Sequence, residues 1–208
     1  DIRDIKPGKI VALGLNYRDH AEEFGMKIPS EPIIFMKPAT SVIYPGEPII
    51  YPAHATRVDY EAELAIIIGK HARRVAAGDA ADYIMGYTCL NDVTERDMQS
   101  RDGQWTRAKS FDTFCPIGPA VVSGIDPSNL LITSYVNGER KQRSNTANLI
   151  FTVPQIIEFV TSVMTLLPGD MIATGTPSGV GPLKPGDAVV VEIEGIGRLE
   201  NPVVLEEK

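Results

Sequence analysis

Glycine and proline recur along the whole chain and divide it into short segments. The 208 residues include 18 glycines and 16 prolines, and both residues destabilise the interior of a long helix. The apolar, mostly β-branched segments between them are residues 10–13, 33–36, 63–68, 120–123, 131–136, 170–174 and 188–193. Short apolar runs bounded by glycine and proline are typical of strands. The sequence therefore predicts a mainly β fold.

Two Pro-Gly pairs predict tight turns. They stand at the centre of residues 167–170 and 184–187, and an apolar segment follows each of them. Proline presets a negative φ at the second position of a type II turn, and glycine accepts the positive φ of the third position. We therefore expect a type II turn at both places.

Three helices are predicted between the strands. The longest covers residues 154–165, with Thr152 as its N-cap and Gln155 three residues further on. Its apolar face would consist of Ile156, Ile157, Val160, Val163 and Met164. A second helix is predicted to begin near residues 91–92. The third covers residues 17–24 and is short, so we expect a mobile element there.

Composition limits the classes of protein to consider. With 43% hydrophobic residues, the chain can bury one substantial core, which predicts a single domain over residues 1–208. The net charge of −7 disfavours nucleic-acid binding, and no apolar run approaches the length of a membrane span. Cys89 and Cys115 are far apart and lack metal-binding or redox spacing, so we expect reduced core thiols in a cytoplasmic protein.

Glu61 and Glu63 stand one residue apart, directly before the apolar residues 65–68. In a strand, residues two apart point to the same face, so both carboxylates would project side by side. Two interpretations of this spacing are possible. The acids either bind a metal ion or line the solvated face of an edge strand.

Asp92 and Gln99 are seven residues apart and would share one face of the predicted second helix. Asp92 could then hold a cation while Gln99 hydrogen-bonds a ligand. The alternative is that Asp92 only caps the helix, with Glu95 completing a capping box. The spacing leaves both interpretations open.

His20 and Glu23 are spaced i and i+3 on the short helix that Asn16 would cap and Gly25 would end. A carboxylate beside an imidazole fixes its tautomer and strengthens it as a general base. The alternative is a solvated pair on a surface helix.

Two further segments are predicted to be loops. Residues 105–114 mix aromatic and cationic side chains without a helical or strand period, and loops often carry function. Residues 174–181 are rich in glycine and follow a strand, so their backbone amides and hydroxyls could approach an anion. A surface loop and an ordinary glycine-rich turn are the alternatives.

Six segments resemble the fumarylacetoacetate hydrolase family, and they occur in the same order as in that family. They are residues 14–23 (GLNYRDHAEE), 35–38 (FMKP), 59–64 (DYEAEL), 91–99 (NDVTERDMQ), 108–113 (AKSFDT) and 174–177 (TGTP). The resemblance implies a mixed β-sandwich roll with a few short helices, usually a homodimer. It also implies that residues 1–8 are a remnant of, or a short substitute for, the N-terminal module that many members carry.

The resemblance further implies a magnesium ion held by three carboxylates, with Mn²⁺ or Ca²⁺ as substitutes. The residues at the matching positions are Glu61, Glu63 and Asp92. Oxygen ligands suit hard divalent cations. Family substrates are small anionic 2-oxo acids, so cations must lie nearby, and the candidates are Lys109, Arg18 and Lys37.

The catalytic dyad implied by the resemblance is His20 and Glu23, on a helix that closes over the site. Glu23 would orient His20, and His20 would deprotonate a water molecule. Residues at positions that bind substrate or stabilise developing charge are Lys109, Gln99, Thr176, Gly175, Arg18 and Lys37.

The reaction implied by the dyad is hydrolysis of a carbon–carbon bond in an acylpyruvate or fumarylpyruvate through a metal-bound enolate. The same constellation serves decarboxylation of a 2-oxo acid such as oxaloacetate, and isomerisation of 2-hydroxyhepta-2,4-diene-1,7-dioate. The need for an activated water favours hydrolysis. From a different class of protein, a non-catalytic binding module that uses the metal structurally remains an alternative.

Overall fold

Strands dominate the computed structural model, which describes residues 1–207. In chain order they are β1 Ile10–Gly14, β2 Ile33–Lys37, β3 Val42–Ile43, β4 Ile49–Tyr51, β5 Val58–Tyr60, β6 Ala62–Ile68, β7 Ile84–Asn91, β8 Thr94–Glu95, β9 Cys115–Val122, β10 Leu131–Val136, β11 Glu139–Asn145, β12 Met171–Ala173, β13 Gly181–Leu183, β14 Ala188–Ile193 and β15 Gly197–Leu205. The α-helices are α1 Arg18–Glu23, α2 Arg96–Asp102, α3 Thr106–Lys109 and α4 Val153–Val163. The mainly β prediction is confirmed.

The strands form three sheets. A seven-stranded mixed sheet has the order β2-β1-β12-β6-β7-β9-β3, a five-stranded sheet has the order β11-β10-β14-β15-β4, and a three-stranded sheet has the order β13-β5-β8. Four 3-10 helices lie outside the strands, and the first of them precedes β1. They are Ile2–Asp4, Ala39–Ser41, Ala77–Tyr83 and Thr146–Asn148. No helix within residues 1–207 is both long and apolar enough to cross a membrane.

β6 lies at the centre of the seven-stranded sheet, and all seven of its residues are buried. Its side chains alternate between two hydrophobic cores, as a period of two requires. Leu64, Ile66 and Ile68 belong to the core beneath α4, whereas Ala65 and Ile67 belong to the core on the opposite face. Burial on both faces explains why this segment is a continuous apolar run.

α4 confirms the longest predicted helix within two residues at each end. Gln155 accepts a hydrogen bond from the Thr152 backbone amide at 2.9 Å, which closes the predicted capping arrangement. Ile156, Ile157 and Val160 are fully buried in the core, but Val163 is exposed. The apolar face is therefore narrower at its C-terminal end than predicted.

The predicted start of the second helix, near residues 91–92, is wrong, because the helix begins four residues later. β7 continues to Asn91, which pairs with Ala62, and α2 begins only at Arg96 with Glu95 as its N-cap. The Glu95 carboxylate accepts the Met98 amide at 2.6 Å. Asp92 caps no helix and shares no helix face with Gln99, because strand pairing extends the chain through this point.

Two smaller expectations also need correction. Asn16 does not cap α1, since its amide group instead donates to the Thr174 carbonyl at 2.8 Å. Residues 105–114 are not wholly a loop, because α3 forms one helical turn inside them. Gly25 does follow the helix in the left-handed region, with φ of 59°.

Both predicted turns are present. Asp170 donates its amide to the Leu167 carbonyl at 3.0 Å, and Asp187 donates to Lys184 at 3.0 Å. The glycine of each Pro-Gly pair has the positive φ that a type II turn needs, 90° at residue 169 and 96° at residue 186.

Candidate active site

Three buried carboxylates meet where the start of β6 lies beside the end of β7. Glu63 lies on β6, Glu61 stands in the single position between β5 and β6, and Asp92 directly follows β7. The Asp92 amide donates to the Glu61 carbonyl at 2.9 Å, which aligns the two strand ends. One oxygen of each carboxylate lies within 4.8 Å of the others.

Glu61 and Glu63 occupy electrostatically different surroundings. Burial opposes the ionisation of Glu61, but the Lys109 and Arg96 charges outweigh it and hold its pKa at about 2. Burial, together with the neighbouring Asp92 and Glu61 carboxylates, raises the pKa of Glu63 well above its usual range. Glu61 is therefore held in its ionised form, whereas its surroundings oppose the ionisation of Glu63.

Lys109 joins two of the acids. Its Nζ donates to Glu61 Oε2 at 2.8 Å and to Asp92 Oδ2 at 2.6 Å. Burial alone would lower the pKa of Lys109, but the Asp92 and Glu61 carboxylates raise it. Lys37 donates to the other Asp92 oxygen at 2.6 Å and to the Lys109 carbonyl at 2.6 Å. Both lysines are buried.

Glu63 receives its hydrogen bond from the backbone. The Gly175 amide donates to Glu63 Oε2 at 2.8 Å. Gly175 has a φ of 95°, and a Cβ atom there would lie 2.9 Å from the Asn16 Cβ. Only glycine meets both conditions without strain. Within residues 1–207, Glu63 makes no ion pair.

The donor set fits a hard divalent cation. The three residues supply only carboxylate oxygens, which suit Mg²⁺, Mn²⁺ or Ca²⁺ and match neither zinc nor iron–sulfur ligation. Glu63 has no cationic partner among the described residues, and a cation beside it would favour its ionised form. Glu61, Glu63 and Asp92 are therefore the residues that could hold a metal.

His20 and Glu23 lie at the rim of the same site, on α1. His20 Nδ1 is 3.4 Å from Glu23 Oε2, longer than a normal hydrogen bond, and it has no hydrogen-bond partner within the described chain. Glu23 instead accepts the Gly179 amide at 3.1 Å. A small movement of α1 would close the imidazole–carboxylate contact.

A cavity of about 590 Å³ opens beside the carboxylates, and this volume suits a small molecule. His20, Lys109, Gln99, Thr176, Glu61 and Glu63 line its polar part. Leu13, Phe24, Met26, Ile33, Phe35 and Trp105 line its apolar part.

The other predicted site residues lie outside this lining. Lys37 and Asp92 are buried directly behind it through their bonds to Lys109. Arg18 turns away, because its Nη1 donates to the Leu149 carbonyl at 2.6 Å. The structure thus brings Lys37 and Lys109 to the carboxylates but leaves Arg18 apart from them.

Three polar residues around the cavity, Arg57, Asp59 and Arg96, were not predicted from the sequence. Arg96 donates to Glu61 at 2.5 Å, to Asp59 at 2.8 Å and to Gln99 at 2.8 Å. Arg57 pairs with Asp59 through two hydrogen bonds. Strand alternation through residues 57, 59, 61 and 63 would have found Arg57 and Asp59. Arg96 stands within residues 91–99, one of the six segments that resemble the family.

Gln142 was also missed, and no local pattern marks it. It lies on β11, where its Nε2 donates to Thr176 Oγ1 at 2.8 Å and its Oε1 accepts the Ala62 amide at 3.0 Å. These bonds tie the five-stranded sheet to the carboxylate site and orient Thr176.

A model of the C-terminal domain of fumarylacetoacetate (FAA) hydrolase matches residues 9–204. The chain is 46% identical over 204 residues to the 4-hydroxyphenylacetate degradation bifunctional isomerase/decarboxylase of Escherichia coli. That alignment covers 96% of this chain and 48% of the relative, so this chain spans about half the length of that enzyme.

Two solved structures share the fold over nearly the whole chain. The 5-carboxymethyl-2-hydroxymuconate delta-isomerase of Mycobacterium smegmatis has a TM-score of 0.93 and 51% identity, covering 98% of this chain and 81% of that protein. The maleylpyruvate hydrolase of Sphingobium sp. SYK-6 has a TM-score of 0.85 and 38% identity, covering 97% and 73%. Similar proteins therefore include both isomerases and hydrolases.

Gly14→Ala should displace the indole ring of Trp105, the single tryptophan of the chain. A Cβ atom at residue 14 would lie 2.4 Å from that ring, which packs edge-on against Phe35. We expect the fluorescence emission of Trp105 to shift to longer wavelength as the ring becomes more exposed. Gly78→Ala is the control, because a Cβ there meets open space. Unchanged emission in the Gly14 variant would contradict this packing.

Glu63→Gln should abolish stabilisation of the fold by divalent metal. In the wild-type protein, Mg²⁺ at a hundred times its Kd should raise the free energy of unfolding by about 2.7 kcal/mol, measured by urea denaturation. The variant should keep its metal-free stability, because glutamine introduces no buried charge and can still accept the Gly175 amide. Equal magnesium stabilisation in both proteins would refute the ligand assignment. Glu192→Gln, at an exposed pair with Arg198, is the matched control.

Proposed function

The chain belongs to the fumarylacetoacetate hydrolase family, and from this premise we propose that it hydrolyses a carbon–carbon bond in small anionic 2-oxo acids of the acylpyruvate type. The reaction would require a divalent metal ion. One observation carries the proposal: His20 and the carboxylates Glu61 and Glu63 line the same cavity. A general base would thereby face the same small molecule as the cation that these carboxylates could hold.

Glu61, Glu63 and Asp92 would hold the ion, with Mg²⁺ as the proposed occupant and Mn²⁺ or Ca²⁺ as substitutes. When bound, such an ion supplies Lewis acidity for the oxygen of a 2-oxo group. Lys109 donates to both Glu61 and Asp92, and Lys37 donates to Asp92, so the two lysines would hold these carboxylates in orientation for that task.

His20 would act as the general base. With Glu23 holding Nδ1, the other ring nitrogen can take a proton from water while the water oxygen adds to the distal carbonyl carbon. The bond from that carbon to the neighbouring methylene then breaks, and its electron pair stays on the 2-oxo acid fragment. Protonation of that methylene yields a carboxylate and a 2-oxo acid as the two products.

Three polar side chains on the cavity wall would serve the substrate. The Lys109 ammonium group offers positive charge to the anionic fragment, and Gln99 and Thr176 offer hydrogen bonds. The Gly175 amide is already bonded to Glu63, so its contribution would be to hold that carboxylate in place. The Arg18 guanidinium lies against Leu149, which gives it no direct role in this proposal.

A second candidate is enol–keto isomerisation or decarboxylation of a 2-oxo acid at the same residues. The isomerase/decarboxylase of Escherichia coli and the delta-isomerase of Mycobacterium smegmatis favour it by their similarity to this chain. Those reactions move a proton or release carbon dioxide without adding water. The position of His20 on the cavity wall favours either enzyme over a binding module that uses metal only structurally.

Products distinguish these reactions. We expect the protein with Mg²⁺ to convert acetylpyruvate to acetate and pyruvate in a side-by-side assay with fumarylpyruvate, oxaloacetate and 2-hydroxyhepta-2,4-diene-1,7-dioate. His20→Asn should lower kcat for hydrolysis by about 10²- to 10⁴-fold, because a general base contributes that much. Magnesium stabilisation should remain, since His20 is not a ligand. His54→Asn, whose exposed ring packs on Phe111, is the control.

Two results would contradict hydrolysis. One is turnover of oxaloacetate or the heptadienedioate with no cleavage of either acylpyruvate. The other is full hydrolytic activity in the His20 variant, which would remove the proposed base while leaving the metal assignment intact.

A further inference from the structure

Four charged residues follow one another along a single face of the chain leading into the active site. Arg57, Asp59, Glu61 and Glu63 are two residues apart, and all four line the cavity. At ~3.3 Å per residue, a fully extended chain would separate the Cα atoms of Arg57 and Glu61 by at most about 13 Å. Charge is therefore placed along the cavity at a distance from the carboxylate centre.

Arg57 and Arg96 differ in how many partners they have. Arg96 contacts Asp59, Glu61 and Gln99, which leaves it little capacity for a ligand. Arg57 donates only to Asp59, from Nε at 2.9 Å and from Nη2 at 3.0 Å. Its Nη1 has no acceptor within residues 1–207, and its side chain is 51% exposed.

Asp59 fixes the direction of the free end of Arg57. Asp59 is fully buried, and both of its oxygens are bound by the two arginines. The Arg57 guanidinium is therefore folded back over residue 59, about 7 Å along the extended chain from Glu61. A fork held in this way loses little conformational entropy when it binds a carboxylate.

We propose that Arg57 is a specificity residue that binds the distal carboxylate of a 2-oxo dicarboxylate whose 2-oxo end lies at Glu61, Glu63 and Asp92. This inference rests on the proposed function and narrows its substrate class. The two carboxylates must be separated by several carbons, because the Arg57 fork is displaced along the chain from Glu61. The apolar wall of Ile33, Phe35 and Trp105 accommodates the intervening carbon chain.

Two ligands of equal length test the assignment by equilibrium binding. 2-Oxoadipate and 2-oxohexanoate differ only in the terminal carboxylate, and neither carries the second carbonyl that hydrolysis needs. Calorimetry with magnesium present should show wild-type protein binding 2-oxoadipate about tenfold to hundredfold more tightly, the worth of a charged hydrogen-bonded pair. Arg57→Gln should abolish this preference without weakening 2-oxohexanoate binding, and Arg57→Lys should retain part of it.

Arg107→Gln is the matched control. Arg107 is also a half-exposed arginine paired with one aspartate, Asp102, but it does not line the cavity. Its loss should leave the preference unchanged, which separates a specific contact from a change in net charge. Far-UV circular dichroism establishes that each variant is folded, and Arg57→Lys provides the test if Arg57→Gln is not.

The outcomes distinguish this inference from the proposed function. Equal affinity of wild-type protein for the two ligands, or an undiminished preference in Arg57→Gln, would overturn the role of Arg57 while leaving 2-oxo acid chemistry intact. Binding of neither ligand by the magnesium-loaded protein would overturn both.

Discussion

The contact from Lys109 Nζ to two buried carboxylates is the interaction on which the geometry of the site depends. Removing a carboxylate from water costs several kcal/mol, and an ammonium group between Glu61 and Asp92, at 2.8 and 2.6 Å, offsets that cost. Lys37 completes the arrangement from the other side of Asp92. These contacts attach α3 and the edge strand β2 to the ends of β6 and β7.

Glu63 receives no hydrogen bond from Lys37 or Lys109 within the described chain. It has a backbone amide and no cationic partner within the described residues, and burial with two neighbouring carboxylates raises its pKa. A divalent ion held by Glu61, Glu63 and Asp92 would favour the ionised form of Glu63. The same cavity has a charged wall and an apolar wall, which is the division that a 2-oxo acid with a carbon chain requires.

Local patterns predicted well wherever neighbouring residues decide the structure. The strand over residues 63–68, the cap of α4 and both Pro-Gly turns follow from residues a few positions apart, and all were confirmed. The pattern failed at residues 91–92, where an Asn-Asp pair with Glu95 resembles a helix start. Pairing of Asn91 with Ala62, 29 residues away in the chain, extended the strand instead.

By itself, the sequence determined the fold class, the central strand and the placement of Glu61 and Glu63 on one face, because period-two alternation and turn chemistry depend on adjacent residues. Asp92 was identified as the third carboxylate of the site only through the family resemblance. Only the tertiary structure decided which cations serve those carboxylates. Lys37 and Lys109 contact them, whereas Arg18 donates to the Leu149 carbonyl. Arg96, which was not predicted, donates to Glu61. A long cationic side chain can extend in many directions from one backbone position, so its partner is settled by the packing of distant elements.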